Sequence, residues 1–190
     1  MSKIICVTNR KLVKEDFLSR IEKIFRFSPY AVLLREKYLP QDEYLILAES
    51  VKKICDSYKV NFISHTFLSG KFLHMPLGQF SLETAEISQD IIKGTSVHSV
   101  EDAIKAESLG ADYLIAGHVF ETACKAGLKG RGLKFVEEVS KSVSIPVFAI
   151  GGISADNYKS VLSSGAQGFA IMSSAMTSDN LEDLFFRLTH

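Results

Sequence analysis

The chain has 190 residues, of which 46% are hydrophobic and 23% charged, a globular composition rather than a disordered one. Its 22 Lys and Arg balance 22 Asp and Glu, so nothing in the charge points to nucleic acid or an acidic membrane surface as partner. With no apolar run of membrane-spanning length, no secretory leader read at the N-terminus and no metal-type spacing of Cys6, Cys55 and Cys124, the expectation is one cytoplasmic domain over residues 1–190 with free thiols.

Predicted elements alternate along the whole chain. A strand at Ile4–Val7 precedes a helix at Lys14–Phe25, and a strand at Ala31–Arg35 precedes a helix at Asp42–Tyr58. Strands at Asn61–Ser64 and Phe72–Met75 follow with no room for a full helix between them. A helix at Ser81–Gln89, a strand at Lys93–Val97 and a helix at Val100–Ser108 come next. The strand Asp112–Ala116 leads through a long connection to a helix at Lys134–Lys141. The last pairs are Pro146–Ile150 with Ala155–Leu162, and Gly168–Met172 with Leu181–Thr189. Ser99 and Ser154, each followed closely by acidic residues, read as helix starts.

Continuously apolar strands separated by helices are buried parallel strands. Strand–helix alternation defines an α/β fold, and eight strands predict a (β/α)8 TIM barrel. A doubly wound open sheet is the alternative. In a barrel, chemistry sits in the loops after the strands. Here those loops carry Asn9-Arg10, Arg35-Glu36-Lys37, Ser64-His65, His74, Ser96 and His98, Gly117-His118, Gly151-Gly152 and Ser173-Ser174.

Three stretches carry most of this signal. Gly151-Gly152 and Ser173-Ser174 follow the last two strands, where barrels build phosphate sites from backbone N–H groups. A tight turn needing positive φ would use the same glycines. Gly117–Gly132 is long for such a loop and reads as a lid: Gly127, Gly130 and Gly132 as hinges, Lys125, Lys129 and Arg131 as cations for an anion. A solvated surface loop is the plainer reading. Leu34-Arg35-Glu36-Lys37 suits an anion site closed by a counter-charge. His118 stands at the rim, where an imidazole could exchange a proton or merely bind a carbonyl; His98, His74 and His65 rank below it.

Together, Val7–Arg10, Leu34–Lys37, Ser96–Ser99, Gly110–Tyr113, Gly117–Lys125, Ala149–Ile153 and Ala166–Ser174 resemble the thiamine phosphate synthase/TenI superfamily over nearly the whole chain. The resemblance implies the same barrel and a small phosphorylated thiazole as ligand. Within the superfamily, the synthase joins a pyrimidine pyrophosphate to a thiazole phosphate with Mg2+. Its pattern has an Asn-Asp pair after the third strand, another acid after the fourth, and a Thr-x-Thr-Lys loop. This chain has Ile63-Ser64-His65-Thr66, His74-Met75-Pro76-Leu77-Gly78-Gln79 and Thr122-Ala123-Cys124-Lys125 there, without either carboxylate that Mg2+ would use.

The lid and the Ser96–Ser99 run look like the tautomerase branch. That branch implies an isomerase that aromatises a 2-carboxythiazole phosphate with His118 as acid and base and no metal or other cofactor. Gly151, Gly152, Ser173 and Ser174 would hold the phosphate. Arg35, Lys37 and Lys125 would face carboxylate or developing charge, with Ser96, His98 and Thr122 completing the site. The expectation is therefore a thiazole tautomerase acting as a homo-oligomer, a dimer. The Mg2+-dependent synthase is the runner-up, and a non-catalytic phospho-ligand regulator the third reading.

Overall fold

Successive side chains of a strand point to opposite faces, so a strand apolar at every position must be covered on both. That is what the computed structural model, which describes residues 3–80, 87–125 and 127–190, contains. Ile5 and Val7 of strand β1 (Lys3–Val7) pack in an inner cluster with Ala31, Leu33, Ile63, Tyr113, Ile115, Phe148 and Ala170. The alternate residues Ile4 and Cys6 pack outward into the larger cluster beneath the helices.

The eight strands are β1, β2 (Ala31–Leu34), β3 (Asn61–His65), β4 (Phe72–Pro76), β5 (Ile92–Val97), β6 (Tyr113–Gly117), β7 (Val147–Ile150) and β8 (Gly168–Ile171). They are parallel in chain order, and β8 pairs back onto β1 through Ile5↔Ala170, closing the barrel. Closure removes the open-sheet alternative.

The outer layer comprises α1 (Phe17–Phe25), α2 (Gln41–Tyr58), α3 (Val100–Ser108), α4 (Gly132–Ser142), α5 (Tyr158–Ser163), α6 (Ser173–Thr177) and α7 (Leu181–Thr189). The side chains of Asp16, Ser99 and Asn180 cap α1, α3 and α7 by accepting backbone N–H bonds, which satisfies donors a helix start leaves free.

Three helices differ most from the sequence reading, the bounds of the other described elements shifting by no more than two residues. α1 begins at Phe17, after its Asp16 cap and three residues beyond Lys14. The Ser154 turn delays α5 to Tyr158, because Asn157 Oδ1 accepts the Ser154 N–H at 2.9 Å and holds a turn before the helix. α6 is one short helix that the pattern did not announce. The predicted helix Ser81–Gln89 lies outside the described residues over 81–86, and 87–89 are not helical. Between β3 and β4 there is no helix, as expected.

Candidate functional site at the barrel mouth

The inner face changes character near the C-terminal strand ends. Two residues beyond Leu33 on the same face stands Arg35; two beyond Ile63, His65; two beyond Phe72, His74; two beyond Gly94, Ser96. The register pairs His65 with His74 and His74 with Gly94. Gly94 is required there. A Cβ would fall 2.1 Å from the Tyr113 ring, which lies across it and brings its hydroxyl to His74 Nδ1 at 3.2 Å. His74 Nε2 meets Ser96 Oγ at 2.9 Å. An uncharged imidazole donates through one nitrogen and accepts through the other, and both hydroxyls can answer either role.

Burial, then the charges of Arg35 and Lys37, push His65 down to about 4. Burial, then His65, Arg35 and Lys37, push His74 to about 3. Both rings are therefore uncharged at neutral pH. Burial also raises the Tyr113 hydroxyl far above its ordinary range.

Beside them lies a cavity of about 250 Å³ lined by Glu36, Lys37, Leu39, Tyr44, His65, Thr66, Phe67 and Pro76. A larger groove of about 530 Å³ between α1 and α6–α7 lies away from the strand ends. Its buried Arg20 is committed to the carbonyls of Ala175 and Ser178 at 2.9 and 2.8 Å, so we place the site at the mouth.

Arg35 is half-buried, and burial lowers its affinity for a proton, with Tyr38, Glu36 and Cys124 acting in the opposite direction. Lys37 is lowered by burial and then by the charges of Arg35 and Lys125. Among the described residues, none of these three cations forms an ion pair. The nearby carboxylate is already engaged. Glu36, 7% exposed, accepts the Thr8 hydroxyl at 2.6 Å and the Arg10 N–H at 3.1 and 3.2 Å. The Arg35 N–H donates to Thr8 Oγ1 at 3.0 Å, tying the loops after β1 and β2 together.

The long connection after β6 is folded down, not hanging free. Its first residues ride on the β7 end through Val119 N–H to Ile150 O and Phe120 N–H to Gly151 O, both 2.9 Å. Its far end is zipped back by Arg131 N–H to His118 O and Gly132 N–H to Val119 O, at 3.1 and 2.8 Å. Gly130 permits this close approach: a Cβ would sit 2.5 Å from Val119 O. It is a packing glycine, whereas Gly127 and Gly132 take positive φ. The 3-10 turn Ala123–Lys125 begins on Thr122, whose Oγ1 accepts the Cys124 N–H at 3.4 Å. Cys124 Sγ lies 3.2 Å from Ser173 Oγ, at the start of α6.

Gly151 and Gly152 have φ of +108° and +66°, so the turn reading holds for both. They also form a ledge. Added Cβ atoms would lie 2.4 Å from His118 Cβ and 2.6 Å from Glu121 O.

His118 is buried, 7% exposed, and occupied on both sides. Arg131 Nη1 lies 3.4 Å from Nδ1 and Leu128 O 3.3 Å from Nε2. A guanidinium only donates and a carbonyl only accepts, so Nδ1 accepts and the ring proton sits on Nε2. His98 is exposed; its Nδ1 donates to Gly117 O at 2.7 Å, and its own carbonyl accepts Arg131 Nε at 2.8 Å. Arg131 thus clamps the loops after β5 and β6.

Of the sequence-predicted residues, Arg35, Lys37 and Lys125 come together at the mouth. Ser96 joins His74, and His98 and His118 join through Arg131. Gly151 and Gly152 pack under the β6 loop, and half-buried Ser173 and Ser174 open α6 beside it. Sequence reasoning ranked His65 and His74 low, missed Tyr113 and Thr8, and read Arg131 as a cation for an anion, whereas its side chain bonds His98 O and His118 Nδ1. The two-residue alternation, continued past each strand end, carries the signal for the two histidines. Nothing local announces Tyr113 or Thr8.

Oxygen donors, chiefly carboxylates, are what Mg2+ requires. The described mouth offers His65 and His74 nitrogens, and its buried carboxylate is held by Thr8 and Arg10. Among the described residues no three His, Cys, Asp or Glu side chains are grouped to hold a metal. These residues do not fit Mg2+.

A closed eight-stranded parallel barrel whose C-terminal mouth gathers cations, unpaired among the described residues, around uncharged imidazoles belongs to the broad class of (β/α)8 barrels. Within that class the chain belongs to the thiamine monophosphate synthase (TMP-TENI) family, whose model matches residues 4–175. It is 30% identical over 190 residues to the thiamine-phosphate synthase of Clostridium acetobutylicum, covering 95% of this chain and 90% of that one. It is 33% identical over 177 residues to a putative thiamine-phosphate synthase 2 of Aquifex aeolicus, covering 90% and 95%. A thiamine phosphate pyrophosphorylase structure from Pyrococcus furiosus superposes with a TM-score of 0.86 at 29% identity, covering 98% and 93%.

These relatives correct the sequence reading on one point. They are named as synthases, so the thiazole tautomerase expectation, an isomerase with His118 as acid and base, gives way to the transferase. In the fold, residues of the lid motif make the contacts that hold the loop down. Gly130 and Arg131 zip the loop down, and His118 is taken up in that zipper. No helix among the described residues is long and apolar enough to cross a membrane.

Proposed function

We propose that the chain is a synthase-type transferase that joins a pyrimidine pyrophosphate to a thiazole phosphate. The reaction forms a bond from the thiazole nitrogen to the pyrimidine's methylene carbon. The carbon–oxygen bond to pyrophosphate breaks, and pyrophosphate leaves with the electron pair. The observation that carries this reading is the trio Arg35, Lys37 and Lys125, unpaired among the described residues at the mouth. Fixed cations aimed where negative charge develops stabilise a transition state more than the ground state. The Gly151-Gly152 ledge and the Ser173-Ser174 start of α6 would take the thiazole phosphate, while Ser96, His98 and Thr122 shape the walls.

Incubating the chain with both substrates and following thiamine phosphate tests the reading. Formation of product, with Arg35→Ala slower by about 10²-fold, supports it. A second reading, a binder of the same phospho-ligands without turnover, is favoured by His65 standing at the β3 end where a carboxylate would serve a metal. Binding of both substrates with no product would favour that reading over the transferase.

A further inference from the structure

We propose that the mouth of this barrel binds a pyrophosphate group without a divalent cation, protein cations taking the place of the metal. The inference deepens the transferase reading, since pyrophosphate is the leaving group there, but it concerns binding and can hold or fail separately.

A pyrophosphate bridged by Mg2+ needs a carboxylate to bring the ion to the protein. Position 65 closes β3 and faces the interior beside Arg35 and Lys37, and it is an imidazole. Its register partner on β4 is a second imidazole, His74, already bonded to Ser96 and Tyr113. Glu36, the buried carboxylate next to the trio, accepts from Thr8 and Arg10 through both oxygens. An Asp at 65 would have offset one cation; an uncharged ring leaves the positive field intact.

That field is built from two sides. Arg35 and Lys37 stand on the β2 loop. Lys125 stands on the 3-10 turn, whose Cys124 Sγ reaches Ser173 at the start of α6, two residues past β8. β8, β1 and β2 are consecutive in the closed barrel, so the turn leans over the arc that ends in Arg35. Arg35 and Lys125 both act against the charge of Lys37, Glu36 offsets Arg35 in part, and an anion among the three cations relieves the remaining repulsion.

The probe is inorganic pyrophosphate, titrated calorimetrically into the full chain in EDTA and again with excess Mg2+. The dissociation constants should agree within about fivefold. A constant more than about fivefold tighter in Mg2+, or no binding in EDTA, overturns the proposal. Arg35→Ala and Lys125→Ala, checked by circular dichroism and thermal melting, should each weaken binding in EDTA by about tenfold or more. His65→Asp should weaken binding in EDTA and restore it with Mg2+. A His65→Asp chain that binds in EDTA as the parent does would place residue 65 away from the anion and sink the idea. Metal-free binding with no thiamine phosphate formed would leave this inference standing and remove the transferase.

Discussion

Gly151→Ala is the sharpest test of how the mouth is assembled. At φ +108° an alanine is strained by about 1–3 kcal/mol. Its Cβ would lie 2.4 Å from His118 Cβ and 2.8 Å from His118 Cα, a collision with backbone that cannot rotate away. Forcing such an atom into a packed site costs typically about 1–3 kcal/mol more. The sum, about 2–6 kcal/mol, is a large part of the roughly 5–15 kcal/mol that holds an ordinary domain folded. Urea unfolding followed by circular dichroism measures it, with Gly78→Ala as control. Gly78 has ordinary φ and nothing within 4 Å of an added Cβ, so its change should stay within about 0.5 kcal/mol. A Gly151→Ala loss under about 1 kcal/mol would show that the His118 loop does not rest on this ledge.

Acid should destabilise the fold through the two buried imidazoles. Unfolded, both take protons near 6.5; folded, His65 does so near 4 and His74 near 3. The unfolded chain therefore holds more protons below 6.5, and stability present above that pH is lost as pH falls. At about pH 5 each ring contributes a loss of about 2 kcal/mol. His65→Gln/His74→Gln should flatten the pH dependence of urea unfolding, and an unchanged slope in that variant would contradict the assignment. Glu36→Gln should cost about 1.5–3 kcal/mol by weakening charge-assisted bonds from Thr8 and Arg10. Combining it with Thr8→Val in a double-mutant cycle should show coupling of at least about 0.5 kcal/mol, and strict additivity would show that the two side chains act independently.

Much of the barrel was legible in the chain itself. Apolar runs such as Ala31–Leu34 and Gly168–Ile171, too short for helices, read as strands covered on both faces, and their alternation with helices leaves few topologies. The polar rim was legible for the same reason: period-two geometry carries Leu33 to Arg35 and Ile63 to His65. What His118 does was not legible. Its ring is held by Arg131 and Leu128, residues 13 and 10 positions on, and whether an imidazole faces a ligand or its own loop depends on how that loop closes. The glycines of 127–132 likewise read as hinges, although Gly130 is there because two backbone segments touch. Short-range pattern determines which face a residue takes, because backbone geometry repeats every two or 3.6 residues. Only the closed tertiary structure decides what stands opposite, because those partners come from distant strands and loops.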